Sequence, residues 1–186
     1  SAEPITPQFG HMTSPTVSPN GKWVLYVHTY ERTDFLAIVD AEGTQWPQRL
    51  IHGEDFYMQP CWHPNNDRIA WISWNHPNMP WDGTELWLAE VAADGPLSDA
   101  RRIAGGADES IQGPVWSPDG NMIAYIDEEQ PRMFIVRVNN SGQAMGSPVS
   151  IEAPEGTAFI HRLAGWTPDH KIGILLVTEQ ESAIYT

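Results

Sequence analysis

A phrase of about fourteen residues recurs along the chain, and this repeat constrains the fold more than any other feature of the sequence. Three clear copies occupy Ser14–Val27, Gln59–Ile72 and Gly113–Ile126, and a weaker copy occupies Ala164–Val177. The prolines that anchor these copies are 45, 54 and 50 residues apart, at Pro19, Pro64, Pro118 and Pro168. Repeats of this length are typical of four-stranded propeller blades. The spacing therefore predicts an all-β fold, a β-propeller built of about four four-stranded blades.

Each copy has the chemistry of a β-hairpin, with a short apolar segment, a Pro-Asx-Gly turn and a longer apolar strand. Proline presets φ, the Asx residue tolerates the bend, and glycine accepts a positive φ. We expect Gly21 and Gly120 to have positive φ, and Asn66 to take the same conformation in the second copy. The predicted turn residues are Pro19, Gly21, Pro64, Asn66, Pro118, Asp119, Gly120 and Pro168.

The strand pattern predicts a single propeller domain or fragment over residues 1–186, with blades at about 14–52, 58–104, 112–152 and 163–186. We expect the chain to be truncated within a blade at each end. Loops between blades are predicted at Gln8–Ser14, His52–Gln59 and Glu152–His161, an outer strand at Gln48–Ile51 and a third strand at Glu85–Val91. Ile5–Pro7 resembles the end of an outer strand, and Ser182–Thr186 a third strand with no fourth. Open blade edges favour a homodimer. The alternative is a closed four-bladed ring.

Composition excludes several classes of partner. The chain has 10 basic and 24 acidic residues, hence a formal net charge of −14, which repels phosphate backbones and anionic membranes. No run of about 18 apolar residues is present. We therefore expect neither nucleic acid nor membrane as a partner. Cys61 is the only cysteine, so a reducing, cytoplasmic compartment is favoured, with the periplasm as the alternative.

The motif Ser117-Pro-Asp-Gly120, followed by Ile123-Ala-Tyr125, resembles the repeat of TolB-type propellers and of the propeller domains of the prolyl oligopeptidase family. The segment Trp71–Leu88 narrows the choice, because it resembles acylaminoacyl-peptidase-like members of that family. Tyr26–His28 and Leu36–Gly43 fit the same group. The resemblance implies an α/β-hydrolase domain of the parent chain as partner and short peptides as substrates.

No catalytic residue is predicted within the chain itself. A nucleophile elbow requires G-x-S-x-G, and none of the serines has glycines at both of those positions. No cofactor is expected, and the D-x-D-x-D-G spacing of a calcium loop is missing, so no metal site is predicted. The resemblance thus implies a non-catalytic propeller that gates and orients peptides. The alternative is a TolB-like scaffold for protein–protein binding.

Candidate binding residues fall in loops expected on one face of the propeller, between blades and between second and third strands. They are Glu54, Asp55, His76, Met79, Trp81, Asp82, Glu128 and Glu129. Met79 and Trp81 either pack within their loop or contact a ligand or second domain. His76 is either a hydrogen-bonding loop residue or a ligand contact. The acidic residues are either solvated charge or attract the α-ammonium group of a peptide.

Overall fold

The computed structural model describes residues 3–91, 97–178 and 181–186. Within those ranges the chain forms fifteen β-strands and no helix. The strands make four antiparallel sheets in chain order, three with four strands and the last with three. The prediction of an all-β arrangement of blades is confirmed. Residues 92–96 and 179–180, which fall inside the predicted second and fourth blades, lie outside the described residues.

The four sheets follow one another along the sequence, and we refer to them as blades one to four. Blade one contains β1 (His11–Val17), β2 (Trp23–Tyr30), β3 (Thr33–Asp40) and β4 (Gln48–Ile51). Blade two contains β5 (Phe56–Trp62), β6 (Arg68–Trp74), β7 (Glu85–Val91) and β8 (Leu97–Gly105). Blade three contains β9 (Ile111–Trp116), β10 (Met122–Asp127), β11 (Arg132–Arg137) and β12 (Val149–Glu152). Blade four contains β13 (Thr157–Trp166), β14 (Ile172–Thr178) and β15 (Ser182–Tyr185).

The core lies between the blades rather than inside any one of them. Leu25 and Leu36 of blade one pack with Trp62 and Trp71 of blade two, and equivalent clusters join blades two and three and blades three and four. A second strand between two neighbouring sheets is covered on both faces, so it is apolar almost throughout. Since burial of apolar area is the main favourable contribution to folding, each blade depends on its neighbours for stability.

The first strands begin earlier than the sequence predicts. β1, β5 and β13 extend into segments expected to be interblade loops, Gln8–Ser14, His52–Gln59 and Glu152–His161. The register of β1 and β5 shifts at a bulge, where Ser14 and Gln59 have φ near 50° and are each followed by a proline. Proline cannot donate to the ladder, so it suggested the end of a loop. The bulge leaves that position unpaired and lets the strand continue beyond it.

The N-terminal segment differs from its predicted role as the outer strand of a preceding blade. Residues 3–10 form no strand, and Ile5 lies beside Gly43 in the turn between β3 and β4. Ile5 packs against the buried cluster of Tyr26, Ala37 and Val39 on the outer flank of blade one. The prolines at positions 4 and 7 explain the difference, because each removes a donor that a ladder requires. This segment covers a flank that was expected to be open.

Candidate functional site

The loops predicted to share one face come together between blades two and three. We call this surface the loop face and define it as the interblade loops 52–55 and 106–110 and the second-to-third-strand loops 75–84 and 128–131. The amide N–H of Asp55 donates to Asn75 Oδ1 at 2.7 Å, and Asn78 Nδ2 donates to the Ala107 carbonyl at 2.8 Å. The N–H of Glu128 donates to the Ser110 carbonyl at 2.9 Å. The four loops are therefore held as one surface.

Loop 75–84 is held in place by hydrogen bonds within the loop and to the neighbouring residues Ser110 and Ile111. The Asp82 carboxylate accepts from the Met79 N–H at 2.8 Å, and the Pro80 carbonyl lies 2.8 Å from Ser110 Oγ. At its base, the buried Thr84 hydroxyl donates to the Ile111 carbonyl at 2.6 Å and accepts from the Ile111 N–H at 2.8 Å. Loop 75–84 is thus anchored without using its apolar side chains.

Met79 and Trp81 project from this anchored loop into solvent. The exposed fraction is 40% for Met79 and 55% for Trp81. Neither side chain is therefore fully packed within its loop. Exposed aromatic and methionine side chains on a rigid support are frequent contact residues in interfaces. Loop 75–84 therefore presents apolar surface that a ligand or a second domain could cover.

Glu54, Asp55 and His76 take part in contacts that connect loop 52–55 to one side of loop 75–84. Asn75 Nδ2 donates to Glu54, and the N–H of His76 donates to Asp55 Oδ2 at 2.9 Å. The His76 ring packs edge-on against Phe56, with ring centroids 5.0 Å apart. Both carboxylates therefore accept hydrogen bonds from the loop beside them. This arrangement gives the three residues a role in holding the loop in place.

A cavity of about 320 Å³ opens on the loop face between blades two and three. Its acidic lining residues are Asp108, Glu109, Asp127 and Glu129, and its basic one is Arg132. Arg132 Nε donates to Asp127 Oδ2 at 2.8 Å, and this carboxylate raises the pKa of the guanidinium. Glu128 does not line the cavity, and its carboxylate accepts a hydrogen bond from Ser110 Oγ at 3.0 Å. Of the predicted residues, only Glu129 lines this cavity.

The aromatic wall of the cavity could not be identified from the sequence. Tyr125 and Phe134 line it, and their rings stack with centroids 5.3 Å apart and planes inclined by 22°. In the repeat, Tyr125 occupies the same place as Tyr26 and Trp71, which lie in clusters at the blade flanks. Tyr125 also packs in a cluster, the one between blades two and three, so its position in the repeat gives no sign of the opening. Only the fold places Tyr125 at the edge of an acidic opening.

Other candidate chemistry is limited in the described part of the chain. Cys61 contacts the core between blades two and three, and burial raises the pKa of its thiol to about 12. Among residues 3–91, 97–178 and 181–186, no three His, Cys, Asp or Glu side chains are grouped so that they could hold a metal ion. No helix in these ranges is long and apolar enough to cross a membrane.

Comparisons with known proteins give a sequence match to a peptidase and fold matches to peptidases and TolB. No protein-family model matches the chain. It is 28% identical over 144 residues to dipeptidyl-peptidase 5 of Arthroderma otae, covering 69% of this chain and 19% of that protein. The chain thus spans about a fifth of the length of the curated relatives that it matches.

Two solved structures illustrate the fold matches. A Mycobacterium tuberculosis puromycin-hydrolyzing peptidase has a TM-score of 0.74 at 23% identity, covering 98% of this chain and 31% of that chain. TolB from Acinetobacter baumannii has a TM-score of 0.68 at 15% identity, covering 94% of this chain and 41% of that chain. The predicted resemblance to peptidase propellers and to TolB is confirmed.

Proposed function

We propose that the chain is the non-catalytic β-propeller of a serine peptidase of the prolyl oligopeptidase type, similar to acylaminoacyl-peptidases, and that it gates and orients peptide substrates. One observation carries the proposal: the same chain matches peptidases by sequence and by fold, over 19% of one and 31% of another. A partial match of this kind is what a single region of a larger enzyme gives. The remaining part would supply the hydrolase domain.

The loop face supplies the surface that such a role needs. Trp81 and Met79 offer apolar contact, and the acidic cavity beside them attracts positive charge. Rigid loops on a stable scaffold position a substrate at low entropic cost. In the proposed enzyme, the loop face would line the path that a peptide takes to the hydrolase domain. The chain itself contributes no G-x-S-x-G nucleophile.

The proposal is tested first on the chain alone and then on its parent reading frame. We expect the purified chain not to turn over acyl-peptide, dipeptidyl or nitrophenyl-ester substrates. Turnover that a single Ser→Ala change in this chain abolishes would contradict the proposal. We expect the reading frame of the parent gene to encode a G-x-S-x-G segment. A parent protein without one would also contradict it.

Gating is tested in the parent enzyme with a pair of exposed tryptophans. Trp81→Ala should alter the ratio of kcat/KM for short and long peptides, because Trp81 lies on the loop face. Trp46 is also exposed and lies in the turn between β3 and β4, at the opposite end of its blade. Trp46→Ala should leave the ratio unchanged. An equal effect of the two substitutions, or no effect of either, would argue against gating by this face.

A TolB-like scaffold for another protein is the second candidate function. The TM-score of 0.68 to TolB and the exposed side chains of Met79 and Trp81 favour it. In that case the parent protein would lack a hydrolase segment. Trp81→Ala would then weaken binding of a protein partner and would have no peptidase activity to alter.

A further inference from the structure

Tyr125 is a buried residue whose hydroxyl has no hydrogen-bond partner in the described part of the chain. Only 3% of the residue is exposed, and its ring stacks on Phe134. No side chain or carbonyl in the described ranges accepts from, or donates to, this hydroxyl. Tyr125 lines the cavity between blades two and three. Burial and the nearby carboxylate of Glu109, which lines the same cavity, raise the pKa of the Tyr125 hydroxyl, so the hydroxyl lies on the side of the acidic residues. Because the hydroxyl has no partner in the described ranges and keeps accessible surface in the cavity, it is free to bond to a ligand group there.

The charge of the cavity specifies the sign of that ligand. Four carboxylates and one guanidinium line it, so the lining has a formal charge of −3. The guanidinium of Arg132 is already paired with Asp127 at 2.8 Å. In the described part of the chain, Asp108, Glu109 and Glu129 form no ion pair with a cation. A second positive group would therefore be attracted to the cavity, and an anion would be repelled.

The walls of the cavity specify what carries the positive group. Phe134, Ile111, Ala104 and Pro148 give one part of the lining an apolar character. The volume of about 320 Å³ falls at the lower end of the range of small-molecule sites. Arg132 already shows that a cation is accommodated there, since its guanidinium carbon lies 5.2 Å from the centre of the Phe134 ring. An alkyl chain that ends in a cation matches both parts of the lining.

We propose that this cavity binds the basic side chain of a peptide, a lysine or an arginine. The cationic head would meet the Tyr125 hydroxyl oxygen, which accepts a hydrogen bond, and the carboxylates of Glu109 and Glu129. The methylene groups would lie along Phe134 and Ile111. The proposal rests on the proposed function in taking the ligand to be a peptide, and it adds a preference for a basic residue at one substrate position.

The test measures binding of small probes to the full chain by chemical-shift titration of the 15N-labelled protein. Nα-acetyl-lysine methylamide carries a basic side chain and no α-ammonium. Nα-acetyl-norleucine methylamide carries neither, and norleucine methylamide carries only the α-ammonium. We expect the acetyl-lysine probe to bind at least about tenfold more tightly than the acetyl-norleucine probe, with affinity falling as salt is raised. The resonances that shift should include those of residues 108–111 and 125–134.

Two variants and one matched control assign the contact. Tyr125→Phe removes only the hydroxyl, and Glu109→Gln removes one charge; each should weaken binding of the acetyl-lysine probe by about threefold or more. Tyr26 has the same position in the repeat and a buried, unpartnered hydroxyl, but it lies on the outer flank of blade one. Tyr26→Phe should leave the affinity unchanged. The same spectra report whether each variant is folded.

Several outcomes would overturn the proposal. One is that the acetyl-lysine probe fails to bind, and another is that the acetyl-norleucine probe binds with the same affinity. An affinity of the Tyr125→Phe variant for the acetyl-lysine probe equal to that of the wild-type chain would also contradict the proposal. Binding of norleucine methylamide alone would show that the cavity takes an α-ammonium group instead of a side chain. The titration requires no hydrolase domain, so its result is independent of whether the parent protein is a peptidase.

Discussion

The Nε2 atom of His63, in the first turn of blade two, lies 3.1 Å from the carbonyl oxygen of Gly120, in the equivalent turn of blade three. His63 is buried, and Trp116 packs edge-on against its ring at a centroid distance of 4.7 Å. Blades one and two have a similar link, in which the Asn20 N–H donates to Asn66 Oδ1 at 2.8 Å. The turns that define the repeat therefore also join neighbouring blades.

Gly120→Val should destabilise the chain more than Gly21→Val. Both glycines have positive φ, 71° and 72°, so valine strains the backbone by about 1–2 kcal/mol at either position. A Cβ at Gly120 would lie 2.1 Å from His63 Nε2, whereas nothing lies within 4 Å of a Cβ at Gly21. We expect the Gly120 variant to lose about 1 kcal/mol more, because the buried contact with His63 is broken as well.

Urea unfolding of the two variants measures this difference directly. Gly21→Val is the matched control, because it changes the same turn position with the same φ and no close neighbour. Equal free energies of unfolding for the two variants would show that the contact between His63 and Gly120 contributes nothing. An unchanged stability of both would contradict the turn geometry itself.

Asp119 should contribute to the acid sensitivity of the fold. Hydrogen bonds from the Ser117 hydroxyl, at 2.6 Å, and from the Asn121 N–H, at 3.1 Å, lower the pKa of Asp119 to about 2 from the usual 3.8. Because the folded-state pKa is below the unfolded one, this stabilisation is complete above about pH 4 and is lost as the pH falls towards 2.

Unfolding free energies measured between pH 2 and 5 test this prediction. Asp119→Asn should lose less stability than the wild-type chain between pH 4 and pH 2, so its curve should be flatter. Asp108→Asn is a suitable control, because no hydrogen bond to the Asp108 carboxylate is present in the described part of the chain; its curve should follow that of the wild type. Parallel curves for Asp119→Asn and wild type would disprove the contribution.

The repeat predicts the fold well because the same short segment, an apolar strand followed by a tight turn and a second apolar strand, occurs four times. Gly21, Asn66 and Gly120 have the positive φ expected of them, at 72°, 63° and 71°. The limits of β4 and β7 also agree with the sequence pattern. The starts of β1 and β5 do not, because the bulges at Ser14 and Gln59 depend on pairing with β2 and β6. Such pairing is not encoded in residues near the bulge alone.

The candidate site was predictable only in part, for a related reason. The sequence directs attention to loop 75–84, whose two prolines and tryptophan are locally unusual, and this loop lies on the loop face. It does not separate Glu128, which lies near Ser110, from Glu129, which lines the cavity. It also gives no sign that Tyr125 faces an opening while Tyr26 is covered by the N-terminal segment. Those differences arise from the neighbours that each blade acquires in three dimensions.

Trp81 and Trp71 should differ strongly in their contributions to stability. Trp71 is 1% exposed in the core between blades one and two, so Trp71→Ala should cost about 3–5 kcal/mol. Trp81 is half exposed on the loop face, and Trp81→Ala should change the unfolding free energy by no more than about 0.5 kcal/mol. Thermal unfolding monitored by circular dichroism compares the two. A large loss for Trp81→Ala would mean that loop 75–84 is part of the core.

The two ends of the row of blades differ in how their outer flanks are covered. On blade one, the Phe9 carbonyl lies 3.1 Å from His28 Nε2, and Ile5 packs beside Tyr26 and Val39. On blade four, β15 pairs with β14 and with no other strand in the described ranges. Ile184 on β15 is 69% exposed. The expectation of two open ends is therefore wrong for blade one, whereas β15 is the outermost strand of the one described sheet that has three strands instead of four.

An exposed strand edge with unpaired N–H and C=O groups tends to pair with another strand. We propose that two copies of the purified 186-residue chain associate through their β15 edges about a two-fold axis, and we expect light scattering in dilute solution to report a dimer of this chain. Ile184→Lys should give a monomer, because a charge on an edge strand opposes pairing. Val149→Lys is the control, since Val149 is 62% exposed on β12, the outer strand of blade three, and this variant should remain dimeric. A monomeric wild-type chain, or a dimer that survives Ile184→Lys, would rule out this association.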